Sequence, residues 1–269
     1  MITSIAQIVA LISYGNQFLR VGEIDRFYPE NSTFQFCNQV DFRLQTRRRL
    51  FISGSVSLIA DDPQIWFQYL RETKCDRLNF SYRHSDRNGS LGDHNLAGLV
   101  GGGGEWSIEA IYGKSCAQWG SYWQVTDRKR SDQKIWTITY FSDGSRREPA
   151  PFNSIHSSRE TLVQALNEII DFANTQSETA FIPYFEKALR SLDSNEPEGD
   201  FYHRDLLIGP ITLETRQLFY AAAHAWVFGG MGWWNDRYFE DSETQKSFES
   251  ITAGLYDAIN DAYSAALNN

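Results

Sequence analysis

Apolar and polar residues alternate along the first half of the chain. Phe34, Phe36, Asn38, Val40, Phe42 and Leu44 fall on one side of an extended segment, and Gln35, Cys37, Gln39, Asp41 and Arg43 on the other. That period of two marks a half-buried strand. Leu50, Ile52, Gly54, Val56 and Leu58 repeat it. Asp61-Asp62-Pro63 then reads as a helix start, with a carboxylate cap and proline in the first turn. Ile65, Trp66, Tyr69 and Leu70 give that helix an apolar face, and Leu78, Phe80 and Tyr82 alternate again. Residues 49–83 therefore predict strand–helix–strand. After a long loop over residues 83–104, the segments 106–112, 121–127 and 134–141 read as strands. Short polar or glycine-bearing joints between them predict an antiparallel meander.

The period becomes helical after Pro149-Ala150-Pro151. Ser157 and Glu160 form a capping box, followed by a stripe of Leu162, Val163, Leu166, Ile169, Ile170 and Ala173. Further helices are predicted over 183–192 and 213–228, and a last one begins at a second capping box, Ser242 with Gln245. Phe248, Ile251, Leu255, Ile259, Ala262, Tyr263 and Ala266 keep its i, i+3, i+4 spacing. The first twelve residues are apolar too. No Lys or Arg precedes that run, no small-x-small cleavage site follows it, and it is too short to span a bilayer. It predicts a packed first helix. The fold class is α+β: a mainly antiparallel sheet with one or two helices in residues 1–150, and a bundle of about four helices in residues 151–269. The two parts are expected to pack together as one unit.

Charge follows the same division. Residues 1–150 hold 18 Lys and Arg against 16 Asp and Glu, a balance of +2, whereas residues 151–269 hold 7 against 18, a balance of −11. An acidic field of that kind repels nucleic acid and anionic membranes and attracts basic partners. Basic clusters at Arg47-Arg48-Arg49, Arg128-Lys129-Arg130 and Arg146-Arg147 sit at strand ends or turns, as solvated residues that discourage edge pairing. Aromatic residues are abundant, with 8 Trp, 13 Tyr and 18 Phe, so core and interface should be ring-rich. Cys37, Cys75 and Cys116 are odd in number and far apart, which predicts reduced, buried thiols in a cytoplasmic protein.

Candidate chemistry is sparse. The run of four glycines at 101–104 is followed by Glu105-Trp106, not by the Lys-Ser/Thr pair of a phosphate loop, and reads as a flexible turn. His84, Asp86, Asp93 and His94 include a conceivable metal set (His84, Asp93 and His94), but their spacing matches no recognised ligand pattern. Tyr202-His203-Arg204-Asp205 offers a histidine with a nearby carboxylate. No nucleophile elbow, HExxH helix or calcium loop occurs. No cofactor is implied and no residue is assigned a catalytic role.

The most distinctive stretch is residues 226–236, Trp-Val-Phe-Gly-Gly-Met-Gly-Trp-Trp-Asn-Asp. Gly229 and Gly230 can take positive φ and end the preceding helix. Asn235 and Asp236 can bond to nearby amides and turn the chain. Trp226, Trp233 and Trp234 either plug this corner into the core or form an aromatic knob for a partner. Residues 225–236 resemble a C-terminal signature, AWVFGGMGSWND, of a bacterial family of cytoplasmic proteins with no established activity. Trp233 stands where that signature has serine. The resemblance covers about the last hundred residues, and some proteins of this kind resemble immunity proteins of polymorphic toxin systems. With the charge division, the aromatic content and the missing catalytic motifs, the expectation is a protein-binding module, of immunity or inhibitor type, that uses its acidic helical part or the sheet's aromatic face to occlude a basic partner, with Trp226, Trp233, Trp234, Asn235 and Asp236 as candidate contact residues. Two other classes compete with it. One is an enzyme with a dispersed, metal-dependent site near the 83–104 loop; the other is a self-associating scaffold.

Overall fold

A computed structural model describes residues 1–45, 55–85, 92–99, 101–126, 128–197 and 202–269. Leu50, Ile52, Gly54, Arg47-Arg48-Arg49, Asp86 and Asn88-Gly89 lie outside them. The chain runs α1 (Thr3–Val21), β1 (Cys37–Gln45), β2 (Val56–Ala60), α2 (Pro63–Glu72), β3 (Arg77–Arg83), the single turn α3 (Asp93–Leu96), β4 (Glu105–Tyr112), β5 (Ser115–Val125) and β6 (Trp136–Ser142). Four helices follow: α4 (Ile155–Thr175), α5 (Ile182–Asp193), α6 (Leu213–Ala225) and α7 (Ser242–Asn268). Sheet and helices thus divide along the chain as the periodicities predict. No helix among the described residues is long and apolar enough to cross a membrane.

The six strands lie in the order β2-β1-β6-β5-β4-β3. Every pairing is antiparallel except β1 with β6, which brings residues 37–44 alongside 136–142 in parallel. The meander β4–β5–β6 is present, but β5 begins at Ser115, six residues before the expected start. Its two halves have different neighbours. Residues 115–120 pair with β4, and residues 120–125 pair with β6. The chain returns after β6 so that Arg147 pairs with Cys116 through two backbone bonds of 2.8 and 3.0 Å.

One face of the sheet carries Val40, Phe42, Phe80, Ile108, Trp119, Ile138 and Tyr140, all buried. Helix α1 packs against β3 and β4, α2 against β1 and β2, and α7 against β3. Helices α4, α5 and α6 pack on one another, and α4 and α6 also pack on α7. The first helix is buried almost all round, from Ile5 to Ile12, as an apolar run without a polar face requires. Its one buried amide, Gln7, accepts from Tyr140 Oη at 2.9 Å and donates to Thr33 O at 3.3 Å. Cys37, Cys75 and Cys116 are all free and buried. Burial pushes the thiols of Cys37 and Cys75 up to about 12.

Several helix starts shift by a residue or more. Asp62 does cap α2, accepting from Ile65 N at 2.8 Å. Helix α4, however, is capped by Ser154, which accepts from Ser157 N, and not by Ser157 itself. Asp241 caps α7 through Thr244 N at 2.8 Å, while Gln245 receives Phe239 N at 2.9 Å. A carboxylate one residue earlier reaches the free amides and leaves Ser242 as the first helical residue. Phe34 lies in a tight 3-10 turn rather than in β1, and Val56 and Leu58 of the edge strand β2 are exposed, not buried.

Candidate functional site

Helix α6 ends at Ala225, and the next eleven residues form a turn braced from both ends. Asn235 does most of the bracing: its Oδ1 accepts from Gly229 N at 2.9 Å and its Nδ2 donates to Gly229 O at 3.1 Å. Asp236 accepts from Gly232 N at 2.9 Å. Trp234 N donates to Val227 O at 3.3 Å. Of the three glycines only Gly232 takes a positive φ, +85°. Gly229 is required for closeness instead, because a Cβ there would come within 2.6 Å of the Trp233 ring. Gly98, on the loop after α3, seats against this turn: its Cβ would fall 2.1 Å from Gly229 O. Thus the 92–104 loop and the 226–236 turn meet backbone to backbone.

The three tryptophans part company here. Trp234 is fully buried, inside a cage of Phe172, Phe181, Phe185 and Phe248. Trp226 is buried too, donating to Phe228 O at 2.7 Å and packing on Tyr256 and Trp106. Neither ring reaches the surface in this fold, so as contact residues they act only by shaping the turn. Trp233 is 44% exposed. Two neighbours that the sequence reading did not single out as contacts, Met231 and Tyr238, are 95% and 76% exposed. Leu99, next to Gly98, is exposed as well. Along the same stretch and the first turns of α7, Asp236, Glu240, Asp241, Glu243 and Glu249 are exposed, with Lys246 among them. Arg237 is occupied by Glu178 at 3.4 Å and lies over the Phe181 ring. The turn therefore presents large apolar side chains in a stretch of chain rich in exposed carboxylates.

A cavity of about 1050 Å³ opens beside the 92–104 loop. Trp106, Trp123, Trp136 and Tyr122 line it, with Arg83, Gln118 and Arg147 on one wall and Ser32 and His203 on another. His203 is not oriented directly by Asp205. Ser32 lies between them: its Oγ donates to Asp205 Oδ1 and meets His203 Nδ1 at 2.8 Å, while Ser32 N donates to Asp205 Oδ2 at 2.8 Å. A carboxylate only accepts, so the hydroxyl proton goes to Asp205 and Ser32 takes the Nδ1–H of His203. Burial lowers the His203 pKa.

His84 and Asp93 meet at 3.3 Å, and His84 Nε2 faces Asp257 at 3.5 Å. Asp93 is already engaged by Tyr82 Oη and Ser85 N. His94 points elsewhere, buried against Tyr256 with its Nε2 unpaired. Among the described residues, no three His, Cys, Asp or Glu side chains are grouped to hold a metal ion. The glycine run is packed rather than loose: Gly103 O accepts from Tyr256 Oη, and Cβ atoms at Gly102 and Gly103 would meet Leu96 O at 2.1 Å and Trp106 at 2.5 Å. Comparison with known proteins finds no matching family model, curated protein or solved structure.

Proposed function

We propose that the protein is a binding module whose contact site is the 229–238 turn, and that its partner is a basic protein. The observation that carries this reading is the exposure of Met231, Trp233 and Tyr238 on a turn held rigid by Asn235 and anchored by the buried Trp234. Large apolar side chains on a pre-ordered turn lose little freedom on binding, and Trp and Tyr dominate interface energies. The exposed carboxylates of Asp236, Glu240, Asp241, Glu243 and Glu249 add charge selection and speed encounter with a cationic surface. An immunity-type role, occluding a basic toxin, is the form of this reading that the resemblance of residues 225–236 favours.

The test is affinity capture from native cells, followed by titration of the purified partner. A single basic protein should bind at low salt and more weakly at high salt. Met231→Ala with Trp233→Ala should abolish binding without unfolding the chain. Equal binding by the variant, or no dependence on salt, overturns the proposal.

A further inference from the structure

Strand β5 has an open edge in the middle of the sheet. Among the described residues, its last five residues, 121–125, pair with β6 on one side only, because β4 stays in register with β5 no further than Ser107 opposite Gly120. Trp106 and Glu105 part from β5 while still paired with β3, and the glycine run then carries the chain further away. Gly101, Gly103 and Gly104 all take positive φ, at +75°, +84° and +97°. They swing the chain off the line of β4 just before Glu105, towards α3 and α7, where Tyr256 Oη holds Gly103 O. A side chain at Gly104 would strike Tyr82 at 2.6 Å, so the swing is fixed by packing. The vacated line is open space: Gly120, Ser121, Tyr122 and Trp123 all border the 1050 Å³ cavity.

An unpaired strand edge presents amide and carbonyl groups that a further strand can satisfy. Here the flanking walls suit alternating side chains. Trp106, Trp123 and Trp136 border the cavity from the core-facing side of the strands, and Tyr122 and Phe141 from the other. On that second side Gly120 leaves the space above the sheet empty, with nothing within 4 Å of where a Cβ would be. Two guanidinium groups converge next to it on a single amide oxygen. Gln118 Oε1 accepts from Arg83 Nη2 and, at 2.7 Å, from Arg147 Nη1. Arg147 has Asp143 at 3.5 Å, whereas Arg83 has no carboxylate within ion-pair distance among the described residues. Both guanidinium groups also act on the buried Glu109 carboxyl, and together they offer a further carboxylate a charge-assisted seat.

The geometry points to a peptide-binding groove: an extended segment adds to β5 along residues 121–125, antiparallel to it, and delivers a carboxylate to Arg83 and Arg147. The carboxylate can be an Asp or Glu side chain or a free C-terminus, and the arms of the experiment separate these. The groove is distinct from the Met231–Trp233–Tyr238 surface and does not depend on it.

The probe is a library of randomised heptapeptides with free C-termini, panned on the full chain beside a second library ending in amides. Sequences should enrich that carry an acidic residue in both libraries, or that enrich only with the free terminus. A selected peptide should protect amides within 121–125 from hydrogen exchange. N-methylation of alternate backbone amides should weaken it at least about tenfold, since main-chain bonds provide the affinity. Arg83→Ala with Arg147→Ala should cost about tenfold or more, the scale of a lost hydrogen bond to a charged group. Absence of any enriched family overturns the inference. So does an N-methylated peptide that binds equally well, or indifference to the arginines. Protection that falls on residues 229–238 instead would overturn the groove and leave the proposed function standing.

Discussion

Asn268 near the end of α7 brackets Phe80 of β3 like a neighbouring strand: Phe80 N donates to Asn268 Oδ1 at 2.7 Å, and Asn268 Nδ2 donates to Phe80 O at 2.9 Å. Asn16 of α1 does the same two residues away, taking Leu78 N at 2.6 Å and giving to Leu78 O at 2.9 Å. Strand β3 is one of the sheet's two outer strands, and these two amides fill the outward hydrogen bonds of Leu78 and Phe80. An open edge invites pairing between molecules. Asn268→Ala should cost about 1–3 kcal/mol, because it leaves buried backbone groups unpaired. Asn16→Ala combined with Asn268→Ala should also form oligomers, which light scattering during mild heating will register. A double variant that stays monomeric counts against edge protection.

Adjacent tryptophans should behave as opposites. Trp234→Ala empties the aromatic cage and removes the donor to Thr252 Oγ1 at 2.9 Å. It should lower unfolding stability by about 3–5 kcal/mol, the range for a large buried side chain. Trp233→Ala should cost no more than about 1 kcal/mol, as a partly exposed substitution. Chemical denaturation of the two variants decides it, and similar losses would mean that Trp233 belongs to the core.

Gly98→Ala tests the seam between the two loops. The added methyl would sit 2.1 Å from Gly229 O and 2.6 Å from Gly230 N, and backbone cannot step aside as a side chain can. The expected loss is about 1–3 kcal/mol, typical of overpacking. Because the strain falls on the turn that carries Met231 and Trp233, partner binding should weaken by more than the stability loss accounts for. Calorimetry paired with binding titration separates the two effects.

Much of the scaffold was legible because it rests on local rules. Alternation located β1, β3, β4 and β6, and the 3.6-residue stripe located α4 to α7. What escaped depended on tertiary geometry. The parallel contact of β1 with β6 leaves no local mark. The early start of β5 hid in Cys116, Ala117 and Gln118, which show no contrast between faces until the partner strands are in place. Within residues 226–236 nothing local distinguishes one ring from another. Only packing separates Trp234 in its cage from Trp233 outside it, and alternation cannot describe an irregular turn. Met231 and Tyr238 carry no signal of exposure beyond standing beside glycine and charge. Ser32 joins His203 to Asp205 across some 170 residues of sequence, and no spacing rule reaches that far.

Acid should weaken the fold through His94. Its ring is buried against Tyr256, and its Nε2 has no partner. Burial holds its pKa below the ordinary 6.5, against the opposing pull of Glu249 and Asp93. A histidine depressed in the folded state stays neutral there while the unfolded chain already takes up a proton. Its contribution is complete above pH 6.5 and declines as pH falls from there towards the folded pKa. Glu109 and Asp257, both raised by burial, act with the opposite sign at lower pH, so the slope of the wild type alone is ambiguous. His94→Leu isolates the effect, since leucine has similar bulk and no proton to gain. Measured by urea denaturation from pH 8 to pH 5, the difference between variant and wild type should move in the variant's favour as pH drops. A difference that is the same at every pH would show that the imidazole is protonated without cost, and that its burial is not what the fold resists.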